Sequence, residues 1–140
     1  MRRMFGVRIS AGFTLLEMLI VIAILAIISV LAYAIYLPQV LKSHRNDVQA
    51  EMAAIAQQFE RCRTRSNAFN ECGLADSFDG ELSERERYQF EVSEGDREFS
   101  IRAVPQSTGN QTRDKCQTLT LNHLGVRDTT ADGLNAADCW

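Results

Sequence analysis

A chain of 140 residues has room for one small domain beside any targeting or membrane segment, which excludes a multidomain enzyme. With 46% hydrophobic and 24% charged side chains it falls outside the disordered class. A net charge of −3 excludes a polybasic module held to DNA or anionic lipid by bulk charge, but leaves a local stripe open.

The first twelve residues carry Arg2, Arg3 and Arg8 and no acid, and from Met18 to Leu37 no charge occurs. At 1.5 Å per residue that uncharged run reaches roughly 30 Å, the thickness of a bilayer hydrocarbon core, so a spanning helix over residues 13–37 is expected. The basic amino end holds the cytoplasmic side and sends the rest outward, an N-in, C-out topology. Glu17 then stands at the mouth of the span, where a carboxylate is unfavourable and therefore functional. An ordinary secretory signal cut after Ala34, in the Ala32-Tyr33-Ala34 pattern, is a rival reading, as is a plain anchor. The first keeps its apolar region to roughly 7–15 residues, and neither gives Glu17 a purpose.

Beyond Pro38, which should kink the helix rather than end it, an amphipathic pattern occupies about 39–65. Val48, Met52, Ile55, Phe59 and Cys62 recur three and four apart on one face, while Arg45, Gln49, Glu51, Gln58 and Glu60 are expected to point elsewhere. Residues 66–86 show no sustained period and read as a loop. Tyr88, Phe90 and Val92 alternate with polar residues, and Glu94-Gly95-Asp96 turns into a second strand with Phe99, Ile101 and Ala103 on one face. A polar loop covers Pro105 to Asp114, a third strand runs from Cys116 to Leu121, and a turn at Gly125 leads to a short strand or tail. The fold expected is α+β, a long amino-terminal helix packed on a three- to four-stranded antiparallel sheet.

Cys62, Cys72, Cys116 and Cys139 all fall on the outward side, where disulfides persist. Four cysteines allow three connectivities; locality favours Cys62 with Cys72 and Cys116 with Cys139, each closure stabilising by roughly 3 kcal/mol. The absence of Cys-x-x-Cys removes the usual zinc and thioredoxin-like signatures. His44 and His123 are isolated, so no catalytic constellation is evident and the chain reads as a non-enzyme with no cofactor. Asp128 to Gly133 offers oxygen ligands for calcium but fits no EF-hand spacing and reads as a solvated turn. Asn110-Gln111-Thr112 is a glycosylation sequon of low specificity. Arg61, Arg63, Arg65, Arg85 and Arg87 could gather into a basic patch, though Glu60, Glu84 and Glu86 favour a mixed surface.

A basic leader, Gly12-Phe13, Thr14-Leu15-Leu16-Glu17 and an unbroken apolar run together resemble the class III signal of type IV pilins, the short leader and Phe13 being similar to the IVa branch. Cys116 to Leu121, Gly125 and the terminal Cys139-Trp140 resemble the carboxyl end of PilE-like minor pilins. The resemblance implies a pilin fold and cleavage of leader 1–12 between Gly12 and Phe13 by a prepilin peptidase that also methylates the Phe13 amine. It implies that Glu17 neutralises that amine on a neighbouring subunit and so sets register. The exported domain would be residues 38–140. The partners implied are other pilin subunits and the inner-membrane assembly machinery, with the chain in the bacterial inner membrane first and on the pilus at the cell surface later. The function implied is that of a structural subunit, a minor pilin serving pilus assembly, adhesion or twitching motility; a type II secretion pseudopilin and a DNA-uptake minor pilin are the alternatives. Loss of the leader would leave 12 basic against 18 acidic side chains, a charge of −6, which argues against nucleic acid as partner. Where the family often carries a glycine and a proline in the membrane helix, this chain has Ala26 and Ala34, good helix formers.

Overall fold

The structure, a computed structural model, describes residues 12–140, so the leader arginines lie outside the described residues. Two compact units divide the chain, Met1–Tyr36 and Leu37–Trp140.

In the first unit, helix α1 (Leu15–Ser66) begins. Thr14 supplies its cap: the Glu17 amide donates to Thr14 Oγ1 at 3.2 Å, satisfying one of the first-turn N–H groups that lack an intrahelical acceptor. Every side chain from Phe13 to Tyr36 is exposed, and the helix is long and apolar enough to cross a membrane. Ser29, a hydroxyl in that apolar run, donates back to the Leu25 carbonyl at 2.7 Å, which pairs its own proton within the helix. Ala26 and Ala34 sit inside unbroken helix.

In the second unit α1 continues through Pro38 and ends at Ser66, where Asn67 turns into the left-handed region at φ 63°. Its inner face buries Leu41, Arg45, Val48, Met52, Ile55 and Phe59, three and four apart. Arg45 therefore departs from the expectation that it faces water: it completes the buried stripe because a buried acid waits for it.

The stripe is covered by a four-stranded antiparallel sheet in the order β1 (Tyr88–Glu94), β2 (Phe99–Pro105), β3 (Leu119–Asn122), β4 (Arg127–Thr129). Alternation puts whole rows inward. Phe90, Ala103 and Leu119 lie opposite one another across three strands, and Val92, Ile101 and Leu121 form the next row. Phe59 joins helix to sheet: its ring stacks on Phe99 at 4.6 Å, and Phe69 meets both rings edge-on. Burying each such side chain contributes about 1.5–3 kcal/mol.

Three segments differ in detail from the sequence reading. The 66–86 loop contains a five-residue helix, α2 (Leu74–Phe78), and buries Ala68 and Phe69. A single turn and a half is too short to show a period, and its order comes from β1, since Glu94 accepts the Ala75 amide at 3.0 Å and Asp79 accepts the Val92 amide at 2.9 Å. The Pro105–Asp114 loop holds a 3-10 segment, Thr108–Arg113, interrupted by Gly109 and Asn110 at positive φ. The Arg87 guanidinium lies against Gly109, and a Cβ there would collide with it. Finally, β3 begins at Leu119 rather than Cys116 because Gln117, at φ 47°, cannot continue a strand. The β3–β4 turn uses Gly125 at φ 73°, and the tail ends in a 3-10 turn, Ala136–Asp138, capped by Asn135.

Candidate functional site

The first candidate site is the amino end of α1. Gly12 and Phe13 precede the helix, Phe13 is 80% exposed, and a Cβ on Gly12 would meet nothing among the described residues. Glu17 occupies the third helical position, in the Thr-x-x-Glu arrangement of a capping box. Its carboxylate stands at the positive pole of the helix, and among the described residues no cation pairs with it. Chemically this is an acceptor with favourable helix electrostatics and an unfilled cationic partner.

The second is a buried polar cluster that sequence reasoning missed. Arg45 donates to Asp114 at 2.5 Å, with 5% and 2% of the two side chains exposed. Asp114 also accepts the Cys116 amide at 3.0 Å and the Tyr88 hydroxyl at 3.4 Å. Gln111 donates to the Tyr88 oxygen at 2.8 Å and to the Leu41 carbonyl of α1 at 3.2 Å. Burial, then the Asp114 charge, push the Tyr88 hydroxyl far above its ordinary range, so it remains a donor. Helix, loop and strand are thus tied at one point. The only sequence signal was an arginine at stripe spacing, four after Leu41 and three before Val48, which polar identity disguised.

The third is the surface framed by the disulfides. Cys62 pairs with Cys72 and Cys116 with Cys139, with Cα separations of 6.3 and 5.6 Å. The first bridge folds the loop onto the end of α1, and the second carries the tail back beneath β3, where Gln49 donates to the Cys139 carbonyl at 2.6 Å. Arg61 and Arg65 are exposed beside the first bridge; Arg63 lies over the Phe69 ring at 5.0 Å. At the other end Arg127 lies over Trp140 at 5.3 Å, and the indole N–H donates to the Asp128 carbonyl at 3.0 Å. Arg85 is elsewhere, 3.2 Å from Asp47, and Arg87 packs on Gly109. The five arginines are therefore not one patch.

Among the described residues no group of three His, Cys, Asp or Glu side chains could hold a metal, and Asp128 spends an oxygen on the Thr129 amide. His123 stands edge-on to Phe99. His44 has its pKa lowered by burial first and then by Arg87 and Arg85. Asn110 of the sequon is exposed.

Comparison with known proteins follows the same division of the chain. Residues 8–33 match the prokaryotic N-terminal methylation motif, and residues 34–120 match the family described as type IV minor pilin ComP, DNA uptake sequence receptor. Among solved structures, the chain is similar to a type IV pilin from Shewanella oneidensis, with 28% identity and a TM-score of 0.52 over 71% of this chain and 97% of that one. It is also similar to the non-core minor pilin PilV of Neisseria meningitidis, with 16% identity and a TM-score of 0.56 over 71% and 95%, a likeness of fold alone. No curated protein matches it.

Proposed function

We propose that this chain, which belongs to the family of type IV minor pilins described as ComP, DNA uptake sequence receptor, joins a type IV filament through α1 and presents residues 38–140 to double-stranded DNA. As a minor pilin it is a structural filament subunit. The methylation motif implies, in general terms, processing by a prepilin peptidase, association with pilin subunits and membrane anchoring before assembly. In the specific form proposed here, the peptidase cuts between Gly12 and Phe13, the Phe13 amine is methylated, and the chain waits in the inner membrane with residues 38–140 outward. In a filament core without water the Glu17 carboxylate needs a cation, and the methylated amine of a neighbouring subunit is the one available at that depth.

The observation that carries the DNA reading is where the family match falls: residues 34–120 overlap the proposed exported domain, residues 38–140, in all but their first four positions. The charge of −6 is compatible with it because the acids concentrate between Asp76 and Glu98, in the α2–β1 region. Arg61, Arg65 and Arg127 are exposed, and among the described residues none of them is in an ion pair. Arg127, already held over Trp140, combines a cation and an aromatic face in one place.

The test is fluorescence anisotropy of the full chain in detergent against duplexes drawn from the host genome, across a salt series. Binding should weaken with salt, at roughly 0.9 in the log–log slope per phosphate contacted. The Arg61→Gln/Arg65→Gln/Arg127→Gln variant should weaken binding and flatten the slope by about one per lost contact. Absence of binding at low salt would refute the DNA reading and leave adhesion or twitching motility as the subunit's role.

A further inference from the structure

We propose that a pocket beside the carboxyl end of the apolar run binds the phosphate of an anionic phospholipid while the chain is in the membrane. The pocket encloses about 450 Å³, floored by Leu37, Pro38 and Leu41. Its rim carries Lys42, Arg113 and Lys115, all exposed and, among the described residues, without an ion-pair partner. The one carboxylate in its lining is Asp114, which is buried and spent on Arg45 and the Cys116 amide. Three cations therefore face one concavity without compensation, in a domain that is acidic as a whole.

The arrangement follows from the buried cluster. Asp114 is flanked in sequence by Arg113 and Lys115, so the bond that pins Asp114 under α1 delivers both cations to the helix beside Lys42. Depth decides the ligand. Leu37 closes the uncharged run and itself lines the pocket. Lys42 lies five residues further on, roughly 7 Å along the axis at 1.5 Å per residue. A headgroup layer is roughly 5–7 Å thick on each side of the hydrocarbon, so the three cations stand at phosphate level while the apolar floor meets glycerol and the first methylenes. Lysine and arginine donors make charge-assisted hydrogen bonds to phosphate oxygens. Double-stranded DNA offers the same phosphate chemistry but has no access to that depth.

The proposal rests on Leu37 marking the exit from the bilayer, which co-elution of the chain with nanodiscs checks separately. The full chain is placed in nanodiscs of phosphatidylcholine with one-fifth phosphatidylglycerol, released into detergent, and its retained lipids counted by native mass spectrometry. The wild type should retain phosphatidylglycerol well above its bulk share. At roughly fivefold per cation, Lys42→Gln/Arg113→Gln/Lys115→Gln should lower that preference on the order of a hundredfold, while Arg61→Gln/Arg65→Gln/Arg127→Gln keeps it. Lys42→Glu alone, at an exposed helix position, covers the case of a misfolded triple variant and, as a change of two charges, should lower the preference roughly 25-fold. No enrichment in the wild type, or equal loss in both triple variants, would overturn the site. So would binding of inorganic phosphate by the lipid-free chain without lipid retention, which reassigns it to a free anion. Loss of DNA binding in the pocket variant alone would reassign it to nucleic acid.

Discussion

A carboxylate with 2% of its side chain exposed has to be compensated, and Asp114 is met by Arg45 at 2.5 Å and by amide and hydroxyl donors besides. Removing one partner of such a pair leaves the other charge buried, which destabilises by about 3–5 kcal/mol. Asp114→Ala should therefore lower the unfolding free energy measured by urea denaturation by that much, whereas an exposed change such as Glu91→Gln, at the surface pair with Arg102, should lower it by under about 1 kcal/mol. His44 supplies the pH response. Its pKa is lowered in the folded chain, so the unfolded chain binds the proton first, and stability present above the ordinary value of 6.5 is lost as pH falls below it. Glu51, raised by burial, has the opposite sign, since its contribution declines as pH rises above 4.5. His44→Gln should flatten the loss of stability between pH 7 and 5.5 seen in the wild type by chemical denaturation at each pH. Neither group was readable from sequence as a core or titrating residue. Polarity put Arg45 on the water-facing side in the sequence, but an arginine's burial depends on a partner 69 residues away, which no local pattern reveals.

Periodic elements were legible because one physical cause, a single face buried, acts along their whole length. The stripe from Val48 to Phe59 and the alternations at Tyr88, Phe90, Val92 and Phe99, Ile101, Ala103 are the faces that meet in the core. The α+β class with one long helix and an antiparallel sheet was accordingly readable, and the sheet has four strands. Segments ordered by side-chain caps were not legible. Helix α2 depends on Glu94 and Asp79, and the Thr108–Arg113 turns depend on left-handed Gly109 and Asn110 and on buried Gln111. The tail depends on a covalent tie. Cys139 is buried and closes a sequence separation of 23 to Cys116, so Cys139→Ser should lower stability by roughly 3 kcal/mol through loop-closure entropy. Limited trypsin digestion would read the same event locally, as faster cleavage after Arg127 once β4 and the tail lose their anchor.

At the scale of the molecule, a pattern of charge and hydrophobicity governs what the chain can do. An uncharged apolar segment with one carboxylate at its mouth precedes a stapled acidic domain on which, among the described residues, exposed Arg61, Arg65 and Arg127 are in no ion pair. Sequence conveyed the first part directly, since length and lack of charge suffice to define a span, and the pilin family was visible in the residues around Gly12 to Glu17. Net charge is a coarse guide to partners: −6 is a sum over the whole domain, in which nine of the 18 acids fall between Asp76 and Glu98, and it does not report how single side chains are placed. The central claim is that this minor pilin enters a filament as a chain processed at Gly12/Phe13 and held by Glu17. Intact-mass analysis of membrane and sheared-filament fractions, for the wild type and Glu17→Val side by side, tests it most directly. The result expected is a chain lacking residues 1–12 and carrying one added methyl in both membrane fractions, abundant in wild-type filaments and depleted in the variant's. A mature chain beginning at Ile35, or undiminished Glu17→Val in the filaments, would contradict it.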